Sequence, residues 1–234
     1  MQPHGKVERI QRSWLAIRER ALLVAIATRL PSWVKPDQLT ALGVAGALMS
    51  GAGYAASTVS PYCLWIAILG LLVNWFGDSL DGSLARVRRT ERPRYGFFVD
   101  HTSDVVSQAL IFIGLGMSPH MRFSTACLLL MSYWIAALFT FIRTIATNVF
   151  QISYFGIGPT EIRLGLIIYT IALLVVGSLS IDTRLGLVSA MDVIAIVIFL
   201  AVALSYVLMT IAEARRLAMQ EVVVPADVSV AAAE

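Results

Sequence analysis

The sequence predicts an all-α, polytopic integral membrane protein with six transmembrane helices and an N-terminal amphipathic surface helix. Three observations carry that prediction. Of 234 residues, 58% are hydrophobic and 14% charged, with a mean hydropathy of +0.77, more apolar surface than one soluble core can bury. Apolar runs long enough for a hydrocarbon core of about 30 Å recur six times. The Lys and Arg residues then segregate to one side of those runs. Disorder, a collagen-like fibre and a disulfide scaffold are excluded, since each needs a polar, Gly-periodic or Cys-rich composition. The two cysteines, Cys63 and Cys127, lie inside apolar runs and read as small buried hydrophobes. The first thirty residues lack a clean apolar segment ending in small residues, so no signal peptide is expected.

Before the first span, Val7, Ile10, Trp14, Ile17, Ala21 and Val24 recur at spacings of three and four with charges between them, the pattern of a helix lying on a membrane surface. Arg12, Arg18, Glu19 and Arg20 argue against a seventh span there. The six spans are predicted at residues 38–58, 62–85, 96–117, 123–147, 161–180 and 187–211. They are separated by Ser60-Pro61, the Arg-rich stretch 86–94, Ser118-Pro119, Gly156 to Pro159, and Asp182 to Arg184. With this count, sixteen of the eighteen Lys and Arg residues fall on one side and only Arg122 and Arg184 on the other. Both termini and the 86–94 loop are therefore expected on the cytoplasmic side. The formal charge of +3 then describes a cationic face meeting anionic lipid headgroups. No nucleic-acid-binding motif accompanies it. The chain divides into an N-terminal cytoplasmic juxtamembrane segment (1–36), a six-helix domain (37–217) and a flexible tail (218–234).

Carboxylates inside a span cost a few kcal/mol or more each and invite a functional explanation. Four aspartates lie between residues 78 and 104. At about 100° per residue, Asn74, Asp78, Asp81, Gly82 and Ala85 share an arc of about 100°, so two carboxylates, an amide and two of the smallest residues line one face. In the next span Gly96, Asp100 and Asp104 share an arc of about 80°, with Ser107 on the same stripe. The short loop between the spans makes them antiparallel, so the two acidic faces meet near the cytoplasmic boundary. An all-oxygen set without Cys or paired His selects hard cations such as Mg²⁺, Mn²⁺ or Ca²⁺, as one ion or two. Two other readings stay open at this point. One is pairing of the acids with Arg86, Arg88, Arg89 and Arg92; the other is a divalent-cation transporter or binding protein, though transport sites tend to sit nearer the midplane.

The run Asp78-x-x-Asp81-Gly82-x-x-Ala85-Arg86, followed after nine residues by Gly96-x-x-x-Asp100-x-x-x-Asp104, resembles the signature of the CDP-alcohol phosphotransferase (CDP-alcohol phosphatidyltransferase) family. The gap before Gly96 is one residue longer than the family's usual eight, which places a re-formed turn at Pro93. Pro36-Asp37-Gln38-Leu39-Thr40 resembles the family's Pro-Asn-x-Ile/Leu-Thr segment, with Asp37 where Asn is usual.

The resemblance implies transfer of a substituted phosphate from a CDP-alcohol donor to an acceptor alcohol, releasing CMP, in phospholipid biosynthesis. It implies Mg²⁺ or Mn²⁺, as two ions, on Asp78, Asp81, Asp100 and Asp104, with Asp104 as general base. Asp37, Thr40, Asn74, Gly82, Ala85, Arg86 and Gly96 are then expected around the nucleotide. Arg143 and Arg163 are candidates for an acceptor phosphate, or else snorkel to the interface. His101, beside Asp100, resembles a candidate base of the choline/ethanolamine phosphotransferase branch, as Gly158-Pro159-Thr160-Glu161 resembles a segment of it. Membrane lipids and a second copy in a homodimer are the partners the resemblance implies.

Overall fold

The computed structural model describes residues 8–10, 16–151, 158–183 and 186–220. Among them the chain forms seven helices: α1 (Ala16–Ala27), α2 (Pro36–Ala56), α3 (Cys63–Val87), α4 (Pro93–Gly116), α5 (Phe123–Thr147), α6 (Pro159–Val176) and α7 (Ala190–Gln220). Four strands of three or four residues accompany them: β1 (Glu8–Ile10), β2 (Val149–Gln151), β3 (Ser180–Thr183) and β4 (Gly186–Ser189). β1 pairs in parallel with β2, and β3 with β4 as an antiparallel ribbon between α6 and α7. These short ribbons carry no sequence signal strong enough to expect them.

Each predicted apolar run contains a helix, although the run 161–180 leaves α6 after Val176 and the run 187–211 begins in β4, and local chemistry sets the boundaries. Proline opens α2, α4 and α6, where its missing N–H is an orphan in any case. Gln38 Oε1 accepts the Lys35 N–H at 2.8 Å, and Glu161 Oε2 accepts the Gly158 N–H at 2.9 Å, completing the first turns of α2 and α6. α5 ends where Asn148 adopts the left-handed conformation (φ 57), and α6 ends at Gly177, whose positive φ of 79 with an extended ψ is a conformation that glycine alone adopts readily. Arg89 (φ 56) turns the chain after α3, and α4 then starts at Pro93, earlier than the predicted residue 96.

Five helices, α2, α3, α5, α6 and α7, are long and apolar enough to cross a membrane. α4 has the length, 24 residues, but Arg94, Asp100, His101, Asp104 and Gln108 make its first four turns polar. Of the six expected spans, five therefore qualify by length and apolarity and α4 by length alone. Along α7, Val193, Val197, Leu200, Leu204 and Leu208 are at least half exposed, as side chains facing lipid would be.

The expected surface helix over 7–30 is partly outside the described residues, which do not include Val7 and Trp14. Within them the helix is the shorter α1, because Glu8–Ile10 is extended and paired with β2. Its buried face is also a different one. Leu23 and Ala27, with Ile26 and Leu30, pack against Trp75, Phe76, Leu80 and Leu84 of α3, while Ala21 and Val24 are exposed. The run from Ala21 to Ala27 is apolar all round, so periodicity could not choose the face that α3 selects.

α2 lies at the centre, packed on α3 along one side and on α4 along the other. Small residues make both contacts close, as is usual for helix pairs in lipid. A Cβ built on Gly77 would lie 2.4 Å from the Gly43 nitrogen, and one on Gly51 would lie 2.3 Å from the Leu110 carbonyl oxygen. Asn74 adds a hydrogen bond to the Gly43 carbonyl at 2.9 Å. Thr170 of α6 donates to the Leu166 carbonyl at 2.7 Å, which leaves the Tyr54 hydroxyl of α2 to donate to Thr170 at 2.7 Å. At the end of the bundle where α7 begins, buried Asp192 accepts the Arg122 and Ser189 N–H groups at 2.9 and 2.8 Å and the Thr125 hydroxyl, tying α5 to α7.

Gly77→Ala should destabilise the protein by about 1–3 kcal/mol, because backbone rather than a movable side chain meets the new methyl. Gly165→Ala, with nothing within 4 Å of its Cβ, should be neutral or stabilising by up to about 1 kcal/mol. Thermal unfolding of the detergent-solubilised variants checks both.

Candidate active site

The residues singled out in the sequence come from one end of the bundle. Asp37 and Thr40 lie in the first turns of α2, Asp78 to Arg86 in the last turns of α3, and Gly96 to Asp104 in the first turns of α4. Arg163 lies in the second turn of α6 and Arg143 in the last turns of α5. Alternating helix directions therefore put every one of these segments on the same side.

Asp78 and Asp104, from two different helices, face one guanidinium. Arg163 Nη2 lies 2.6 Å from Asp78 Oδ2 and 3.9 Å from Asp104 Oδ1, and its side chain is 11% exposed. Asp81 turns toward α2 instead. Its Oδ2 accepts the Thr40 hydroxyl and its Oδ1 the Gly82 N–H, both at 2.5 Å, and the residue is buried. Asp100 stays more open, with Oδ2 3.3 Å from His101 Nδ1. Asp78 and Asp104 thus share one arginine, while Asp81 and Asp100 each have partners of their own.

A hard divalent ion fits this donor set by chemistry, since all the side chains are carboxylates or hydroxyls. The arrangement of the acids is that of an arginine-compensated cluster. Among the described residues, no three His, Cys, Asp or Glu side chains are grouped closely enough to hold an ion. Pairing with arginine, left open by the sequence, does occur, but with Arg163 from a distant helix. Of the nearby arginines, Arg86 reaches the Ser83 hydroxyl at 3.2 Å and lies beside Gly82, where a Cβ would meet its Nη1 at 3.4 Å. Arg88 turns back to the carbonyls of Leu30, Pro31, Ser32 and Val34 and so fixes the entry to α2.

Arg92 places Nη2 2.6 and 2.8 Å from the two Asp37 oxygens and stacks on Tyr95, 4.0 Å from its ring centre. Asp37, expected near the nucleotide, thus latches the α3–α4 turn to the start of α2. Asn74 is 1% exposed and sits deeper than the acids. It lines, with Ser107, Tyr133 and Arg163, a cavity of about 20 Å³, room for one water, and its Oδ1 has no partner among the described residues. Gly96 is open, with nothing within 4 Å of a built Cβ, and Ala85 is half-buried on the same face as Gly82. Arg143 lies 3.4 Å from Glu213 of α7.

His101 Nδ1 meets two acceptors, the Phe97 carbonyl at 2.9 Å and Asp100 Oδ2 at 3.3 Å, so it stands where an N–H would donate. The ring stacks on Phe97 at 4.1 Å and leans on Phe141 at 5.1 Å. In Gly158-Pro159-Thr160-Glu161, Glu161 completes the helix start, and the Thr160 hydroxyl reaches Glu19 of α1 at 2.8 Å. Sequence reasoning missed two residues that hold this end together, Arg88 and Glu19. Arg88 was visible only as a possible partner of the aspartates and Glu19 only as a charge against a further span, and no local spacing marks a side chain whose partners are 54 or more residues away.

Arg163→Gln removes the counter-charge of Asp78 and should destabilise the protein by about 3 kcal/mol, the lower end for breaking a buried pair because Asp78 keeps 21% of its side-chain exposure. Asp78→Asn in the same chain should recover part of the loss. Unfolding midpoints of the two single variants and the double variant test this coupling.

This cluster sits within a stretch that comparison with known proteins identifies. No curated protein matches the chain. The profile of the CDP-alcohol phosphatidyltransferase family, however, matches residues 33–212, from just ahead of α2 to well inside α7, and so includes every candidate residue. With more than half its length matched, this multi-pass membrane protein belongs to the CDP-alcohol phosphatidyltransferase family and carries a phosphotransferase activity of that general type.

Proposed function

We propose that the chain catalyses metal-dependent transfer of a substituted phosphate group from a CDP-alcohol to an acceptor alcohol, at the end of the bundle where α2, α3, α4 and α6 meet. The observation that supports this most is the approach of Asp78 and Asp104, from separate helices, to one largely enclosed guanidinium, its side chain 11% exposed. It is an anionic pair with a built-in partner for phosphate oxygens. The segregation of sixteen of eighteen Lys and Arg residues supports a cytoplasmic site.

In this reading the acceptor hydroxyl loses its proton to an Asp104 carboxylate oxygen as its own oxygen bonds to the donor's β-phosphorus. The bond from that phosphorus to the bridging oxygen breaks, and the electron pair leaves with CMP. Mg²⁺ or Mn²⁺ held by Asp78, Asp81, Asp100 and Asp104 would offset the pyrophosphate charge and stabilise the leaving CMP. Thr40 orients Asp81 through its 2.5 Å hydrogen bond. Arg163 and exposed Arg86 offer planar forks to phosphate oxygens. Gly82, Ala85 and Gly96 keep the face low enough for a nucleotide to approach.

The donor is either CDP-diacylglycerol, with a polar alcohol as acceptor, or soluble CDP-choline or CDP-ethanolamine, with diacylglycerol as acceptor. His101 and Gly158 to Glu161, the two features that resemble the choline/ethanolamine branch, have structural duties as a stacked ring and a helix cap. They therefore weigh little on that choice.

The test is CMP release by purified, detergent-solubilised protein with Mg²⁺ or Mn²⁺, comparing the three donors across a panel of acceptors. Release should depend on one donor class, stop on chelation of the metal, and fall by about 10²–10⁴-fold in Asp104→Asn. His101→Ala should lose about tenfold or less. Full turnover by Asp104→Asn would overturn the assignment of the base, and an effect of His101→Ala as large as that expected of Asp104→Asn would move it to His101 Nε2.

A further inference from the structure

We infer that Glu19, on α1 outside the apolar bundle, is a positioning residue for this site; the inference rests on the proposed reaction. One oxygen of Glu19, Oε1, receives three donors from two helices. Trp75 Nε1 of α3 lies at 2.8 Å, the Ser79 hydroxyl of α3 at 3.3 Å and the Thr160 hydroxyl of α6 at 2.8 Å. A carboxylate accepts and does not donate, so all three converge on it, and bonds to an ionised acceptor are the stronger kind.

The addresses of those donors matter more than their number. Ser79 follows Asp78 directly, and Thr160 stands one helical turn before Arg163. The Glu19 tie and the Asp78–Arg163 tie therefore join the same two helices on adjacent turns. α3 is held by backbone contact with α2, where a methyl on Gly77 or Gly46 would collide at 2.4 Å. α6 has no such seam with α3, and a carboxylate from a third helix sets how its first turn meets α3. Through Thr160, Glu19 sets where Arg163 stands relative to Asp78 and Asp104. A guanidinium misplaced by one ångström alters the charge around the reacting phosphate without removing any group that binds it.

The experiment compares Glu19→Ala, Glu19→Gln, Thr160→Val and Glu19→Ala/Thr160→Val in the full-length detergent-solubilised protein, by CMP release and thermal unfolding. The Gln amide oxygen can accept in the same place, so Glu19→Gln should keep kcat within about twofold. Glu19→Ala and Thr160→Val should each lower kcat, by about tenfold for the former, with donor KM moved less than about twofold. The double variant should be no worse than Glu19→Ala alone. Wild-type kcat in Glu19→Ala, equal losses in the Ala and Gln variants, or additive losses in the double variant would each overturn the inference. Thr160→Val, the milder change, keeps the test open where Glu19→Ala does not fold. If the wild type releases no CMP from any donor while unfolding midpoints still show Glu19 and Thr160 coupled, the proposed reaction fails; if the midpoints show no coupling, this inference fails.

Discussion

A carboxylate at the edge of a low-dielectric bundle has to find a positive charge or hydrogen-bond donors, and most of this site follows from how each acid meets that requirement. Asp78 and Asp104 meet it with Arg163, Asp81 with the Thr40 hydroxyl and a backbone N–H, and Asp37 with Arg92. Glu19 meets it with three neutral donors. These partners lie on α2, α3, α6 and the α3–α4 turn, so the same charges also set how α1, α2, α4 and α6 gather around α3.

That gathering needs a rigid centre, which the small residues of α2 supply. Gly43, Gly46 and Gly53 on one side and Gly51 on the other let α3 and α4 approach to backbone contact. In lipid, where apolar burial gives little drive for helices to associate, such close van der Waals packing is a principal source of specificity. It places the ends of α3 and α4, and thus Asp78, Asp81 and Asp104, at a common level. The fold tolerates a polar α4 in return, since its acids face the cluster while its last turns, with Ile111, Phe112 and Leu115, stay in the core. The mixed character that keeps α4 from qualifying as an apolar span is the character the proposed site requires.

The acidic stripes on α3 and α4 were legible because helical periodicity alone puts residues three and four apart on one face. The family signature was legible in the residue identities from Asp78 to Asp104. Arg163 was visible as a candidate for phosphate but not as the partner of Asp78, and Glu19 was visible only as a charge against a further span. Asn74 was read onto the acid face by angle, yet it lies deep against the Gly43 carbonyl. Angle around a helix says nothing about depth beneath a neighbouring one.

Composition and periodicity by themselves determined the membrane class, six long helices and the two acidic faces, because each depends on residues within a few turns of one another; the family resemblance rested on the residue identities from Asp78 to Asp104. Only the tertiary structure decided that Arg163 rather than the arginines of the 86–94 loop answers Asp78, that Leu23 and Ala27 form the buried face of α1, and that Arg88 and Glu19 hold the end of the bundle together. The polar pairings among these join residues 54 to 141 positions apart in the chain. A partner at that distance is chosen by which helices pack side by side, which spacing within a single helix does not reveal; the small-residue seams of α2 make that choice for α3 and α4, and polar ties make it for α1 and α6.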